Sequence, residues 1–268
     1  MGIEYKTPAQ MATMARAGVI VERALAAAVA TAVPGATTAH VDAAAARVIA
    51  EAGATSNFLG YHGFPATTCV SVNDEVVHGI PGSRVLRDGD VVSIDCGAIV
   101  GGWHGDSAVT IVLGDNPDPA DVALSNATRD ALWAGIAALA TAKRLDEVSA
   151  AIEDVTVAAG LFPLEGFVGH GIGTEMHQEP DVMNYRVRGR HAKVRPGMCV
   201  AIEPMLVRGT SASRTLDDDW TVVSADGSRA AHWEHSIAVH EGGIWVLTAA
   251  DGGAAGLEPF GITPVPVQ

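Results

Sequence analysis

Four acidic residues border mostly apolar stretches of the chain, where an unpaired charge would be costly to bury. Asp95 closes the run 91–94, and Asp106 opens another. Glu203 follows the run 199–202, and Glu234 precedes a further one. Because a bound cation would remove the cost of burying these charges, the pattern favours metal ligation over ordinary surface acids. Carboxylates prefer hard divalent ions and can bridge two of them at about 3.5–4 Å, so the four acids predict one shared two-metal site.

Histidines supply the candidate nitrogen ligands. His170 lies in Gly169-His170-Gly171-Ile172-Gly173, where the glycines allow an unusual backbone and the close approach of a ligand. His177 follows seven residues later. An odd separation places two side chains on opposite faces of a regular strand, so the chain must bend if both serve one site. His78 ends an apolar run at a Gly/Pro turn, a common location for functional side chains. For each histidine alone, ordinary packing is the alternative.

The elements that must position these residues occur twice in the sequence. The segment 41–53 recurs at 148–160, an offset of 107 residues, and the segment 89–95 recurs at 197–203, an offset of 108. Both copies of the second pattern end in a carboxylate, Asp95 and Glu203. The return strands carry Asp106 and Glu234. Two copies of this length are too few and too long for a solenoid, so we predict two facing halves that each supply two acids.

Local signals define the helices of the first half. Thr7-Pro8-Ala9-Gln10 is a capping box with proline at the first helical position, and the helix that it opens ends before Pro34-Gly35. A second helix is predicted from about Thr38 to Glu51, ending at Gly53, which suits a left-handed cap. Strand-like segments follow the helices in each half.

A hairpin is predicted between the first two acids. The segment between Asp95 and Asp106 contains Gly101-Gly102, which favours a tight reversal. Pairing centred between residues 100 and 101 places the acids directly opposite, whereas pairing centred on the glycines makes them diagonal neighbours on one face. Either register brings the two carboxylates within reach of each other. Since the connections between strands are too short for helical crossovers, we predict an antiparallel sheet and the fold class α+β.

The net charge of the chain limits the kinds of macromolecule that it can bind. The net charge of -14 argues against a nucleic-acid binder with a broad basic surface. A local exception is a basic stretch within residues 186–195, for which a solvated loop and a transient contact with ribosomal RNA are the alternatives. Its members are Arg186, Arg188, Arg190, Lys193 and Arg195.

The sequence predicts neither a membrane span nor a secretion signal. It has no run of about eighteen apolar residues, and its N-terminus lacks the apolar region of a signal peptide. Three cysteines, Cys69, Cys96 and Cys199, leave at least one unpaired and show no CxxC spacing, which fits a reducing compartment. We therefore expect a soluble cytoplasmic protein. At 268 residues the chain is long enough for a single domain with a sizeable core.

Several motifs together make the chain resemble the type I methionine aminopeptidases, peptidases of the pita-bread fold family, along nearly its whole length. They are GYHGFP at 60–65, VNDEVVHGIP at 72–81, DCG at 95–97, GHGIG at 169–173, HQEP at 177–180 and IEPM at 202–205. The resemblance implies pseudo-twofold halves with a curved antiparallel sheet and helices outside, in agreement with the internal repeat. It also implies one catalytic domain over residues 1–268, with halves of about 1–115 and 116–250 and a Gly/Pro-rich tail at 252–268.

The resemblance gives each candidate ligand a role. Asp95 would bind one metal ion, His170 and Glu203 would bind the other, and Asp106 and Glu234 would bridge both. The sequence does not identify the two divalent ions, for which cobalt, manganese, iron and zinc stay open.

The same resemblance implies an activity. The enzyme would remove the initiator methionine from new polypeptides when the second residue is small, as a monomer acting on nascent chains. A metal-activated hydroxide would attack the first peptide bond, with Glu203 as general base. His177 would stabilise the oxyanion, and His78 would contact the nitrogen side of the scissile peptide.

The family positions that form the methionine pocket fall on five residues. They are Tyr61, Phe64, Cys69, Met176 and Trp220. Phe64 stands where tyrosine is frequent and Met176 where phenylalanine is frequent, which leaves the chemistry intact but the shape of the pocket open. An apolar pocket with aromatic walls suits the flexible thioether of methionine.

Two other functions are compatible with parts of this pattern. A relative with the same fold that acts on proline peptides or creatine-like substrates would share the five ligands, but such enzymes usually carry an additional N-terminal domain. This chain is expected to begin its first catalytic-domain helix at about Thr7. A non-catalytic pita-bread protein that binds RNA or protein would have lost ligands, which the intact set argues against.

Overall fold

The computed structural model describes residues 2–189 and 191–267. Within them, pairs of helices precede groups of strands, and this order occurs twice. The helices are α1 (Pro8–Thr31), α2 (Thr38–Glu51), α3 (Pro119–Leu139), α4 (Leu145–Ala158) and α5 (Ala254–Leu257). None of these described helices is long and apolar enough to cross a membrane.

The strands are short, apart from the pair that carries the first two acids. In chain order they are β1 (Thr55–Ser56), β2 (Thr68–Val72), β3 (Glu75–Val77), β4 (Val91–Val100), β5 (Trp103–Val112), β6 (Phe162–Pro163), β7 (Gly169–Gly171), β8 (Gln178–Val182), β9 (Cys199–Ile202), β10 (Met205–Val207), β11 (Ser213–Thr215), β12 (Val222–Ser224), β13 (Ala230–His232), β14 (His235–His240) and β15 (Gly243–Val246). All the ladders between them are antiparallel, as the sequence predicts.

Helices α1 and α2 cover the first group of strands. Thr7 caps α1 through the predicted capping box with Gln10, and Pro8 occupies the first turn. Helix α2 has the predicted bounds, and Gly53 beyond it takes a left-handed φ of 68°. Small and β-branched side chains of both helices pack on β2 and β4 and form one hydrophobic core.

The hairpin β4–β5 turns at Gly101 and Gly102, whose φ angles are 56° and 80°. Positive φ at both central residues gives the two-residue turn that matches the twist of paired strands. Asp95 pairs with Ala108, and Asp106 pairs with Gly97, so the acids are diagonal neighbours on one face. The register centred on the glycines is therefore confirmed, and the register with the acids directly opposite is wrong.

Helices α3 and α4 cover the second group of strands. The five-stranded sheet has the order β15-β14-β9-β7-β8, and the four-stranded sheet has β1-β4-β2 with β5 beside β4. Leucine, isoleucine and valine side chains of α3 and α4 pack against β9 and β14 in the second large core. The chain thus builds a helix-on-sheet layer twice, and burial of apolar area in each layer stabilises the strands that carry the acids.

The two larger sheets are joined at a seam formed by Asp106, Ala108, Glu234 and Ser236. The N–H of Glu234 donates to the carbonyl of Ala108 at 2.9 Å, and the N–H of Ala108 donates back at 3.3 Å. The Ser236 hydroxyl accepts from the N–H of Asp106 at 3.0 Å and donates to its carbonyl at 2.8 Å. These reciprocal bonds hold Asp106 beside Glu234.

The Gly/Pro-rich tail folds back on the second sheet. Gly253 precedes α5 with a left-handed φ of 90°, and the N–H of Val265 donates to the carbonyl of Ile244 at 2.9 Å. The tail is therefore part of the fold up to residue 267. The extent of the single domain and the boundaries of its halves stay predictions.

Candidate active site

A cavity of about 240 Å³ lies at the seam. All four predicted carboxylates line it: Asp95, Asp106, Glu203 and Glu234. Asp106 and Glu234 are only 3% and 2% exposed. Asp95 Oδ1, Asp106 Oδ1 and Glu234 Oε1 are buried and find no hydrogen-bond partner among the described residues. The fold thus brings together acids that lie far apart in the sequence and leaves several of their oxygens available to a ligand.

Burial raises the pKa of all four carboxyl groups above their usual range. The pKa of Asp106 rises to about 7. For Asp95, Glu203 and Glu234, repulsion from the Asp106 carboxylate adds to the effect of burial. Like charges at short range in a poorly solvated cavity resist ionisation, so the ionised form of this site requires positive charge.

His170 is oriented so that one ring nitrogen faces the acids. Its Nδ1 lies 3.0 Å from the carbonyl oxygen of Gly171. Because a carbonyl only accepts, Nδ1 carries the proton and Nε2 is left with a lone pair. That Nε2 lies 3.3 Å from Glu203 Oε1. Burial, with a contribution from His177, lowers the pKa of His170 to about 3, which keeps the ring in the neutral form that binds metals.

Two sets of three residues place ligand atoms within 4.8 Å of one another: Asp106, His170 and Glu234, and Glu203, His232 and Glu234. Asp95 joins neither set, although it lines the same cavity. Buried carboxylate oxygens without partners next to neutral imidazole nitrogens suit a divalent transition metal. The residues therefore fit the metal centre that the sequence predicts.

His177 reaches the same cavity because the chain reverses after His170. Strands β7 and β8 are antiparallel neighbours, and the two histidine rings have centroids 4.4 Å apart. The predicted bend is confirmed. Burial, with a smaller effect of His62, lowers the pKa of His177. A neutral imidazole next to the acids can donate one hydrogen bond into the cavity.

His78 lines the cavity from a strained position. Its φ of 59° is left-handed, which is uncommon for a residue with a side chain. Its ring lies 6.0 Å from that of Phe167 and 6.3 Å from that of Trp220. Burial, followed by the nearby His177, lowers the pKa of His78 to about 4, so this ring is neutral. Strain of this kind clusters at functional sites.

One side of the cavity is apolar. Four of the five predicted pocket residues line it: Phe64, Cys69, Met176 and Trp220. Phe64 and Trp220 pack edge to face with ring centroids 5.1 Å apart. Tyr61, the fifth, packs against the cluster that contains Phe64, Cys69 and Met176 but is not among the described residues that line the cavity. Its hydroxyl instead lies 2.8 Å from His177 Nδ1.

Residues 12–241 match metallopeptidase family M24. The chain is also 50% identical over 253 residues to methionine aminopeptidase 1 of Mycobacterium tuberculosis, which covers 92% of this chain and 95% of that protein. The chain belongs to the methionine aminopeptidases of family M24. Methionine aminopeptidase 1 of Bacillus subtilis is 42% identical and covers 91% of this chain and 98% of its own length.

Solved structures of methionine aminopeptidases share the fold. The enzyme from Thermotoga maritima is 38% identical, with a TM-score of 0.89 over 92% of this chain and 99% of that one. Prolidase from Pyrococcus furiosus, 20% identical, has a TM-score of 0.72 over 92% of this chain and 65% of that one, which shows the fold alone. The predicted fold class, the α+β pita-bread fold, is confirmed, and so is the resemblance to the methionine aminopeptidases.

The sequence interpretation missed His232. This residue is 2% exposed, lines the cavity and belongs to one of the two sets of candidate ligands. A signal was present, because His232 lies two residues before Glu234 in a strand-like segment, and alternate residues of a strand point to the same face. Apart from Tyr61 in the pocket, every predicted ligand, catalytic and pocket residue lines the same cavity as His232.

Proposed function

We propose that this methionine aminopeptidase removes the initiator methionine from polypeptides with a small second residue, using two divalent ions at the seam. The observation that carries the proposal is the group of buried, unpartnered carboxylate oxygens beside an apolar cavity wall. Asp95, Asp106, His170, Glu203 and Glu234 are the proposed ligands. When bound, the ions supply Lewis-acid polarisation of the scissile carbonyl and a lowered pKa for water.

Three side chains of the cavity have proposed catalytic roles. Glu203 faces the cavity next to the His170 nitrogen, where it can take the proton of the attacking water as general base. Tyr61 can donate a hydrogen bond to Nδ1 of His177, which leaves the Nε2–H of His177 to donate to the developing oxyanion. His78 lines the cavity on the Trp220 side, where we place the nitrogen of the scissile peptide.

The apolar wall is the proposed site of the methionine side chain. Phe64 and Trp220 present aromatic edges and faces, and Met176 and Cys69 supply polarisable sulfur atoms. Contacts between sulfur and aromatic rings contribute about 0.3–1.5 kcal/mol each, which favours a thioether over a branched aliphatic chain. Burial, with the Asp95 carboxylate next, raises the pKa of the Cys69 thiol well above its usual range, so this wall is uncharged.

The deciding assay measures free methionine released from Met-Gly-Met-Met and from Met-Leu-Met-Met by metal-free protein, before and after addition of cobalt, manganese, iron or zinc. We expect metal-dependent release from the glycine peptide and little from the leucine peptide. Glu203→Gln should lose this release, whereas Glu241→Gln on the exposed surface should keep it. No release with any metal, or equal release from both peptides, would contradict the proposal.

A transient contact with ribosomes through the basic stretch is part of the same proposal. Arg186 is excluded from the proposed contact, because it forms ion pairs with Glu153 at 2.7 Å and with Asp154 at 2.8 Å on α4. Arg190 lies outside the described residues. The exposed members Arg188, Lys193 and Arg195 are the proposed contacts. Salt-sensitive co-sedimentation with ribosomes should fall in the variant K193E/R195E and stay unchanged in the control R16E. The cytoplasmic location and the monomeric state stay predictions.

A further inference from the structure

His232 has a buried ring nitrogen that faces the acids. Its Nε2 lies 3.5 Å from Glu203 Oε2 and 4.0 Å from Glu234 Oε2. No hydrogen bond to this nitrogen is formed within the described residues. A buried polar atom without a partner costs about 1–3 kcal/mol, and this one is aimed at the proposed metal centre.

Hydrogen bonds fix the backbone of His232, and therefore the point from which its ring extends toward the acids. The hydroxyl of Thr110 accepts from the N–H of His232 at 2.9 Å and donates to its carbonyl at 2.7 Å. A second hydroxyl, that of Ser93, lies 2.8 Å from Thr110 Oγ1. Strand β13 further pairs His232 with Met205. This fixed position is what a preorganised ligand requires.

The separations match those between two ligands of one ion. Ligands at about 2.1 Å from a metal lie about 3.4 Å apart in tetrahedral geometry and at most about 4.2 Å apart in any geometry. The two distances from His232 Nε2 fall within this limit. Glu203 has the other imidazole on its opposite oxygen, since His170 Nε2 lies 3.3 Å from Oε1. The carboxylate of Glu203 is thus flanked by two imidazole nitrogens.

We propose that His232 Nε2 binds the metal ion held by Glu203 and Glu234, so that the centre has two imidazole ligands and four carboxylates. This inference rests on the metal centre under the proposed function and adds a ligand to it. Imidazole suits cobalt, iron and zinc, whereas carboxylate and water suit manganese and magnesium. A second imidazole therefore shifts the preference of the site toward the first group.

The simplest alternative is that His232 only orients Glu203 by a hydrogen bond. The protein with two equivalents of Co²⁺ distinguishes these roles by proton NMR, because the ring N–H of a coordinated imidazole is shifted far outside the diamagnetic range. We expect two such exchangeable signals in the wild-type protein, one in His232→Gln and two in His40→Gln. One signal in the wild-type protein overturns the inference and leaves the metal centre standing. No shifted signal at all contradicts the metal centre itself.

Calorimetric titration provides a second readout that does not depend on activity. His232→Gln should bind Co²⁺ about 10–100-fold more weakly and Mn²⁺ with a smaller loss. His40→Gln is the matched control, because His40 lies in the first turn of α2 and glutamine keeps its capping role. An equal loss for both metals, or no loss, overturns the inference. Thermal unfolding of metal-free His232→Gln checks that it folds, and the wild-type NMR count decides the matter if it does not.

Discussion

The phenol oxygen of Tyr61 lies 2.8 Å from Nδ1 of His177, with the two rings tilted by 60°. Burial, followed by the charge of Glu175, raises the pKa of Tyr61, so the phenol keeps its proton and can donate it to His177 Nδ1. The two residues after Tyr61 have left-handed backbones, His62 with φ of 48° and Gly63 with φ of 90°. With Tyr61 as the donor, His177 takes the tautomer that has its proton on Nε2.

Tyr61→Phe should lower kcat about ten-fold, since about 1–1.5 kcal/mol of hydrogen bonding would no longer fix the His177 tautomer. KM for Met-Gly-Met-Met should change little, because Tyr61 is not among the described residues that line the cavity. The control Tyr5→Phe removes an exposed hydroxyl and should behave as wild type. A rise in KM with constant kcat would contradict this role and indicate that Tyr61 contacts the methionine side chain of the substrate.

Metal binding should release protons at pH 6, and less at pH 8. Folding raises the pKa of the four carboxyl groups, that of Asp106 to about 7, so at pH 6 the Asp106 carboxyl retains a proton that the metal must displace. The ligand histidine releases none, because the pKa of His170 is about 3. Affinity should accordingly rise with pH. Titration calorimetry in buffers of different ionisation enthalpy counts the protons, and a count of zero at pH 6 would refute the pKa assignment.

Asp106→Asn should shift stability in opposite directions with and without metal. At pH 8 the metal-free variant should be about 1–2 kcal/mol more stable than wild type, because an amide removes a charge that repels Asp95 and Glu234. Added metal should stabilise wild type by about 2.7 kcal/mol at a hundred-fold excess over Kd, and the variant by less. Urea unfolding of both proteins tests this, with the exposed Asp115→Asn as control.

Gly18→Ala should destabilise the fold by about 1–3 kcal/mol by overpacking. Gly18 on α1 faces the backbone of Leu247, and a Cβ there would collide with the Leu247 carbonyl. Gly82→Ala is the control, because a Cβ at Gly82 would meet no atom within 4 Å. Urea midpoints that are equal for the two variants would show that α1 can move away from Leu247 at no cost.

Local patterns predicted the helices and the hairpin because the residues that define them lie close together in the sequence. The capping box at Thr7 and the glycine turn at Gly101 act over a few residues, and both are confirmed. The convergence of the acids could be predicted from the repeat, since both copies end in a carboxylate. The sequence did not decide between the two registers of the hairpin, because both turn centres leave each side chain on the same face of its strand.

The roles of Tyr61 and His232 depend on contacts that the sequence does not encode locally. Tyr61 meets His177 across 116 residues, and Thr110 clamps His232 across 122. An aromatic residue in a family pocket motif and a histidine in an apolar strand both have ordinary packing as their common role. Only the packed arrangement of loops and sheets distinguishes the two from core residues.

The seam also sets the order in which the centre can form during synthesis. Asp95 and Asp106 emerge from the ribosome early, but the chain must reach Glu234 and Ser236 before the reciprocal bonds with Asp106 and Ala108 exist. Domains generally fold as units while a chain is made, so the two halves of this fold must both be present before the seam closes. Asp95 and Asp106 therefore lack their counterparts until residue 236 has been made, and the complete group of four acids exists only after most of the chain has been synthesised.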